Sequence, residues 1–173
     1  MGDAIVAEAT VRVTYLELRR PPGAAPARDG DERISLERLG LDAYLSLYRR
    51  IGAPWGWDQR LRMPAATLGA LLDSGRLRLY VLRDGGGEAL GLCEFDHAAF
   101  PDVELKNFGL VREAQGRGLG PWLLRTALVA EWQATPARVW LHTDTWDHPA
   151  AVAVYARAGF EVVAVREEPV EGL

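Results

Sequence analysis

Hydrophobic and polar residues alternate along residues 9–18, where Val11, Val13 and Tyr15 share one side of the chain. An alternation with a period of two is typical of a strand that buries one face. Runs of similar β-like character recur later in the chain and predict further strands. Their predicted bounds are 76–83, 88–96, 101–110, 137–145 and 160–168.

Apolar residues at helical spacing predict four helices between these strands. Ser35 is a candidate N-cap for the first helix and Gly52 a candidate stop. Pro64 suits the first turn of the second helix, which ends at Gly75. The resulting order β-α-α-β-β-β-α-β-α-β predicts an α/β or α+β sheet covered by helices. The predicted helices are 35–52, 64–74, 118–133 and 149–159.

Composition narrows the class of protein. A chain of 173 residues with 49% apolar residues predicts a single domain over 1–173, with the Pro- and Gly-rich stretch 19–33 as a surface loop. The net charge of −4 gives no basic footprint for nucleic acid, and the apolar runs are too short for a membrane span. The lone Cys93 and an amino-terminus unlike an export signal predict a cytoplasmic protein.

Three alternating glycines, Gly116, Gly118 and Gly120, stand between a predicted strand and a predicted helix. A helix N-terminus offers unpaired N–H groups and partial positive charge, and glycines let a phosphate approach the backbone. The spacing fits neither the dinucleotide fingerprint G-x-G-x-x-G nor the nucleotide P-loop, which needs a following Lys. The stretch therefore predicts a phosphate-bearing ligand, with a packing turn as the alternative.

Two motifs resemble the GNAT N-acetyltransferase superfamily. The first is "QGRGLG", residues 115–120, and the second is "HPAAVAVYARAGF", residues 148–160. This resemblance implies a mixed central sheet of six to seven strands with helices on both faces. It also implies a final strand that, in this chain, is short, missing or supplied by another subunit, and so leaves room for a homodimer. The matching positions are Gln115, Gly118, Gly120, Ala151, Tyr155, Gly159 and Phe160.

The resemblance implies acetyl-CoA or another acyl-CoA as the donor. The strand ending at residues 108–110 would splay from the strand at 138–143, and its backbone would hold the pantetheine arm. Amides of residues 115–120 would bind the pyrophosphate. His148 stands where the family usually has Asn. The implied cofactor-binding residues are Phe108, Gly109, Leu110, Gln115, Gly116, Arg117, Gly118, Leu119, Gly120, His148 and Tyr155.

Acyl transfer to an amine needs a base for the ammonium, and an acid for the departing thiolate helps. Glu104, on the strand that leads to the glycines, is the candidate base; the alternative is an ion-pair partner of Lys106 or an Arg. Strand alternation predicts that Glu104, Lys106 and Phe108 share a face. Tyr155 occupies the position of the family's thiolate-protonating Tyr; the alternative is a core Tyr.

Trp55 and Trp57, on a loop between two predicted helices, are candidates for the acceptor site. The alternative is that both indoles are buried and pack between the helices. Asp144 or His142 is a further candidate for lining that site. A metal is not predicted, because the His and Asp residues of "HTDTWDH" fit no standard zinc spacing. Cys93 is predicted to be a buried strand residue.

These features together predict an N-acetyltransferase that transfers acetyl directly to a primary amine of a small-molecule or peptide acceptor. The alternative from another class is a non-catalytic acyl-CoA-binding or regulatory module on the same fold, since a fold does not fix chemistry. A weaker alternative is a nucleotide binder without a P-loop.

Overall fold

The computed structural model describes residues 9–170. Residues 1–8 and 171–173 of the predicted domain lie outside the described residues. Residues 1–8 are also part of the segment that was predicted not to be an export signal. Residues 9–170 form a seven-stranded sheet of order β2-β3-β4-β5-β6-β1-β7. The strands are β1 (Thr10–Leu18), β2 (Arg33–Glu37), β3 (Leu77–Arg83), β4 (Ala89–Ala99), β5 (Asp102–Leu110), β6 (Arg138–Asp144) and β7 (Glu161–Pro169). The α-helices are α1 (Leu41–Gly52), α2 (Gln59–Arg62), α3 (Ala65–Asp73), α4 (Leu119–Glu131) and α5 (Ala151–Ala158).

Helices cover both faces of this sheet, as predicted. On one face, called the front here, Tyr44 of α1 donates a hydrogen bond to Glu94 of β4. On the other face, the back, Tyr80 of β3 donates to Glu131 of α4. Tyr80 pairs with Cys93, whose side chain lies opposite that of its neighbour Glu94. Helices α1 to α3 therefore cover the front, and α4 and α5 cover the back.

The predicted helix 35–52 is wrong over its first residues. Residues 33–37 form β2, which pairs antiparallel with β3, and α1 begins only after Gly40. Ser35 donates its hydroxyl to Glu37 instead of capping a helix. Glu37 also forms an ion pair with Arg83 on β3, at 2.7 Å. Pairing with the open edge of β3 outweighs the local helical spacing, because that spacing is a weak prior against tertiary context.

The sheet reaches seven strands within one chain. The resemblance implied that a final strand was short, missing or supplied by another subunit. In the structure, β1 lies between β6 and β7, where Tyr15 pairs with His142 on one side and with Ala164 on the other. The strand that sequence analysis did not predict is β2, at the opposite edge of the sheet.

Strands β5 and β6 splay apart, as the resemblance implied. They are the parallel neighbours in the sheet, and they pair only from Asp102 with Arg138 to Glu104 with Trp140. Beyond Glu104 the two strands diverge, so the backbone of the rest of β5 has an open side. This opening passes through the sheet and connects the front to the back.

A β-bulge at Lys106 changes the face of the residues that follow it. Asn107 pairs with Glu94, but Leu105 pairs with the next residue of β4, which leaves Lys106 as the extra residue. Lys106 stays beside Glu104, with Nζ 3.1 Å from the carboxylate. Phe108 lies on the back. The prediction that Glu104, Lys106 and Phe108 share a face is therefore wrong for Phe108.

Candidate functional site

The splayed strands open a cleft of about 670 Å³. The segment between α1 and α2 borders it on the front, α5 on the back, and the N-terminus of α4 at one end. Most of the predicted site residues meet there, whereas Glu104 and Arg117 lie outside the lining. The predicted residues that line the cleft are Trp55, Trp57, Phe108, Gly109, Leu110, Gln115, Gly116, Gly118, Leu119, Gly120, Asp144, His148 and Tyr155.

The glycine turn leaves the N-terminus of α4 open to the cleft. Gly116 and Gly118 adopt φ values of 74° and 72°, a left-handed conformation that favours glycine. A Cβ at Gly116 would meet nothing within 4 Å. Among the described residues, no side chain caps the first turn of this 13-residue helix. Its amides and dipole therefore fit a phosphate group.

Arg117 points away from the cleft. Its guanidinium is 2.6 Å from Glu32 at the end of the 19–33 segment. Arg28 of the same segment donates to the Arg117 carbonyl and lies over the Trp122 ring. The segment therefore packs against the glycine turn, and this ion pair explains why Arg117 is outside the lining.

Tyr155 reaches the cleft from α5 on the back. Its side chain is nearly buried, and its ring centroid is 5.9 Å from that of Phe108. Burial raises the pKa of the Tyr155 phenol well above its ordinary value, and the negative charge of Asp147 adds to the shift. The phenol is therefore protonated at neutral pH.

His148 lies in the turn that leads into α5. Its Nδ1 accepts a hydrogen bond from the Ala150 N–H at 3.0 Å, as an Asn side-chain oxygen could. The ring is thereby held with Nε2 as the donor nitrogen. Trp55 packs against the same ring, with 5.0 Å between centroids. Trp55 and His148 thus join the front and back walls of the cleft.

Trp57 both packs and lines the cleft. Its ring centroid is 5.3 Å from that of Tyr48 on α1, and a Cβ at Gly52 would be 2.4 Å from the Trp57 Cβ. The two alternatives for this residue are therefore not exclusive. Packing on α1 fixes the indole, and the remaining surface of the ring faces the cleft.

The end of the cleft near β1 and β7 includes residues that sequence analysis missed. Glu168 of β7 accepts a hydrogen bond from the Tyr15 hydroxyl at 2.6 Å. Trp146 is more than half exposed, and its N–H donates to Asp144. The pairing of β1 with β6 and β7 assembles this region, so no short motif could have predicted it. Lys106 also lines the cleft.

A buried ion pair holds the front wall in place. Arg60 of α2 and Glu94 of β4 form a salt bridge, and Glu94 is fully buried. The Tyr44 hydroxyl donates to the same carboxylate. Because burial of an unpaired charge is costly, this cluster fixes α2 and the preceding aromatic segment against the sheet.

The described residues contain neither a candidate metal site nor a candidate membrane-spanning helix. Within residues 9–170, no group of three or more His, Cys, Asp or Glu side chains is arranged to hold a metal ion. In the same range, every helix is too short or too polar to cross a membrane.

Cys93 is fully buried in β4, and burial raises the pKa of its thiol well above the ordinary value. We expect the thiol to be unreactive toward a thiol-specific reagent in the folded protein and to react fully in denaturant, because the thiolate is the reactive form. Labelling followed by intact mass measurement checks this. Rapid labelling of the folded protein would contradict the buried position.

The model of the acetyltransferase (GNAT) family matches residues 43–160, which is more than half of the chain. The chain belongs to the GNAT family. The matched region contains the glycine turn, the splayed strands and α5. It leaves out β1, β2 and β7, so the end of the cleft near β1 and β7 lies partly outside the family match.

Solved structures share this GNAT fold. A GCN5-related N-acetyltransferase from Sphaerobacter thermophilus is 20% identical, with a TM-score of 0.65 over 92% of this chain and 52% of its own. A tandem GNAT protein from the clavulanic acid biosynthesis pathway is 20% identical, with a TM-score of 0.61 over 95% and 55%. An IAA acetyltransferase from Bacillus cereus is 20% identical, with a TM-score of 0.57 over 76% and 79%.

The chain spans about half the length of the first two of these structures. Because the identities are only 20%, these matches establish a shared fold and nothing further about this chain. A comparison with curated protein sequences finds no significant match.

Proposed function

We propose that the chain is an N-acetyltransferase that transfers acetyl from acetyl-CoA directly to a primary amine of a small-molecule or peptide acceptor. The observation that carries the proposal is the uncapped, glycine-lined N-terminus of α4 at one end of a cleft between splayed strands. Membership of the GNAT family supports acyl transfer as the reaction class.

The backbone would hold the donor. Amides of residues 115–120 would bind the diphosphate, because they open at the positive end of the α4 dipole. The open side of β5 after Glu104 would hydrogen-bond the pantetheine arm through residues 108–110. Acetyl-CoA supplies the acetyl group as an activated thioester.

The two faces of the sheet divide the proton chemistry. Tyr155, on the back, would protonate the departing thiolate, since its phenol keeps its proton. The base would act from the front, where Glu104 lies beside the opening. An acid and a base on opposite sides of the split allow the amine to arrive on one side while the thiolate leaves on the other.

The acceptor would bind at the end of the cleft near β1 and β7, which is called the acceptor end below. This end favours a cationic amine with an apolar body. The carboxylates of Asp58, Asp144 and Glu168 line it and attract positive charge. Trp55 and Trp57 add aromatic faces, which attract ammonium groups and cover apolar surface.

The test is a calorimetric titration with acetyl-CoA beside matched titrations with ATP and with NAD. We expect acetyl-CoA alone to bind with micromolar affinity. Replacing Gly118 by Asp is expected to weaken binding about 10²-fold relative to Gly118→Asn, because a negative charge then opposes the diphosphate. Both side chains tolerate the left-handed backbone of this position, so the pair isolates the charge.

Equal acetyl-CoA affinities in the two Gly118 variants would show that this turn does not bind the diphosphate. Binding of ATP without acetyl-CoA would indicate a nucleotide binder. Acetyl-CoA binding without turnover of any amine would favour the non-catalytic acyl-CoA-binding module.

A further inference from the structure

His142 lies across the splayed strands from Glu104. Both residues lie on the front face. Glu104 pairs with Trp140 of β6, and His142 lies two residues after Trp140 on β6, so its side chain points to the same face. His142 Nε2 is 3.9 Å from Glu104 Oε1. The imidazole lines the cleft and is partly exposed, with 42% of its side chain accessible.

Glu104 is less accessible than His142. Only 17% of its side chain is exposed, and the Lys106 ammonium is 3.1 Å from its carboxylate. Lys106 holds Glu104 Oε1, and the Glu104 side chain does not line the cleft. His142 does line the cleft, so its imidazole is the member of the pair that an acceptor in the cleft can reach.

Aromatic and charged groups of β1 and β7 surround the imidazole on its other side. The ring of Tyr15 is 5.9 Å from that of His142, and its hydroxyl donates to Glu168. The Tyr15 hydrogen bond with Glu168 raises the pKa of the phenol, so Tyr15 remains neutral at neutral pH. Arg166 lies over the Tyr15 ring, with Cζ 5.1 Å from its centroid.

The remaining charges come from β6 and from the segment before α2. Asp144 follows His142 on the same face of β6, and its Oδ1 accepts the Trp146 N–H. Asp58 lines the cleft with Arg62, its ion-pair partner at 3.2 Å. A cationic acceptor held by these carboxylates would present its nitrogen near the imidazole.

We propose that His142 is the catalytic base and that Glu104 is the residue that positions it. This inference rests on the proposed function and adds the identity of the group that meets the amine. An imidazole ordinarily titrates between pH 5 and 8, which suits a base at neutral pH. At 3.9 Å, Glu104 Oε1 is just outside hydrogen-bonding distance of Nε2, so a small rotation of the imidazole would bring the two into contact and select the tautomer with Nδ1 free.

The proton balance is complete with these groups. His142 Nδ1 takes one proton from the ammonium of the acceptor and later releases it to solvent. The amine lone pair forms the new C–N bond with the thioester carbonyl carbon, and the C–S bond breaks. The thiolate takes the Tyr155 proton, and the second proton lost by nitrogen restores the phenol. One proton is released per acetyl group transferred.

The test uses an amine that the wild-type chain acetylates, assayed from about pH 5 to about pH 9. His142→Ala is expected to lower kcat/KM about 10²-fold with acetyl-CoA affinity unchanged. Added imidazole is expected to restore turnover in proportion to its unprotonated fraction. Glu104→Gln keeps the imidazole but removes the carboxylate that orients it, so kcat is expected to fall less than in His142→Ala while KM stays unchanged.

His97→Gln is the matched control, because His97 also pairs with a glutamate, Glu131, at 2.6 Å, outside the cleft. We expect this variant to keep the wild-type pH profile. If His142→Ala keeps full activity, or loses activity that imidazole does not restore, His142 is not the base. If Glu104→Gln alone abolishes turnover, Glu104 is the base. A wild type without turnover on any amine would instead overturn the proposed function.

Discussion

Replacing Tyr155 by Phe is expected to lower kcat about 10³-fold while acetyl-CoA affinity stays within about twofold. The phenol is nearly buried, and burial raises its pKa, so it keeps the proton that the proposed mechanism requires it to donate. A phenylalanine keeps the ring contacts with Phe108 and Phe160. The loss is therefore specific to the hydroxyl, and steady-state kinetics with calorimetry of acetyl-CoA binding measures it.

Tyr80→Phe provides the control for this substitution. Burial also raises the pKa of the Tyr80 phenol, but Tyr80 donates to Glu131 away from the cleft. We expect this variant to retain wild-type kcat. Because the pKa of Tyr155 is raised, the wild-type rate is not expected to fall as the pH approaches 10, the ordinary tyrosine value. A Tyr155→Phe enzyme with nearly full kcat would exclude the phenol as the acid.

The cleft shows which parts of a site local sequence can predict. The turn at residues 115–120 follows from three glycines between a strand and a helix, because left-handed backbone and unpaired helix amides depend on adjacent residues. The turn into α5 is also local, since the His148 ring accepts a hydrogen bond from Ala150, just before the helix begins at Ala151. The glycine turn lies where it was predicted, whereas the helix was predicted to begin two residues earlier, at residue 149.

The features that were missed depend on contacts between distant residues. Strand β2 forms because β3 offers an open edge, and nothing within residues 33–37 reveals that partner. The bulge at Lys106 arises from the register between β4 and β5, so alternation alone assigns Phe108 to the wrong face. Arg117 is held by Glu32 from a segment more than 80 residues earlier.

The proposed base illustrates the same limit. Glu104 is predicted as the base from its position before the glycine turn, whereas His142 is predicted only as a candidate for lining the acceptor site. The relation between them depends on the parallel register of β5 and β6, which brings Glu104 beside Trp140. A short stretch of sequence does not encode that register.

Replacing Arg60 by Met is expected to lower the free energy of unfolding by about 3–5 kcal/mol. Glu94 is fully buried, and Arg60 is the cation that pairs with it. A methionine of similar volume leaves the carboxylate with the Tyr44 hydroxyl alone. The uncompensated charge in the core then destabilises the folded state. Chemical denaturation followed by circular dichroism measures the change.

Arg62→Met on the same short helix is the matched control for Arg60→Met. Arg62 pairs with Asp58, but both side chains are half exposed, so this change is expected to cost less than about 1 kcal/mol. Equal losses in the two variants would contradict a dominant buried pair. In Arg60→Met/Glu94→Met both charges are removed, and most of the lost stability is expected to return. Recovery would identify the unpaired carboxylate, and not the lost packing of α2, as the cause.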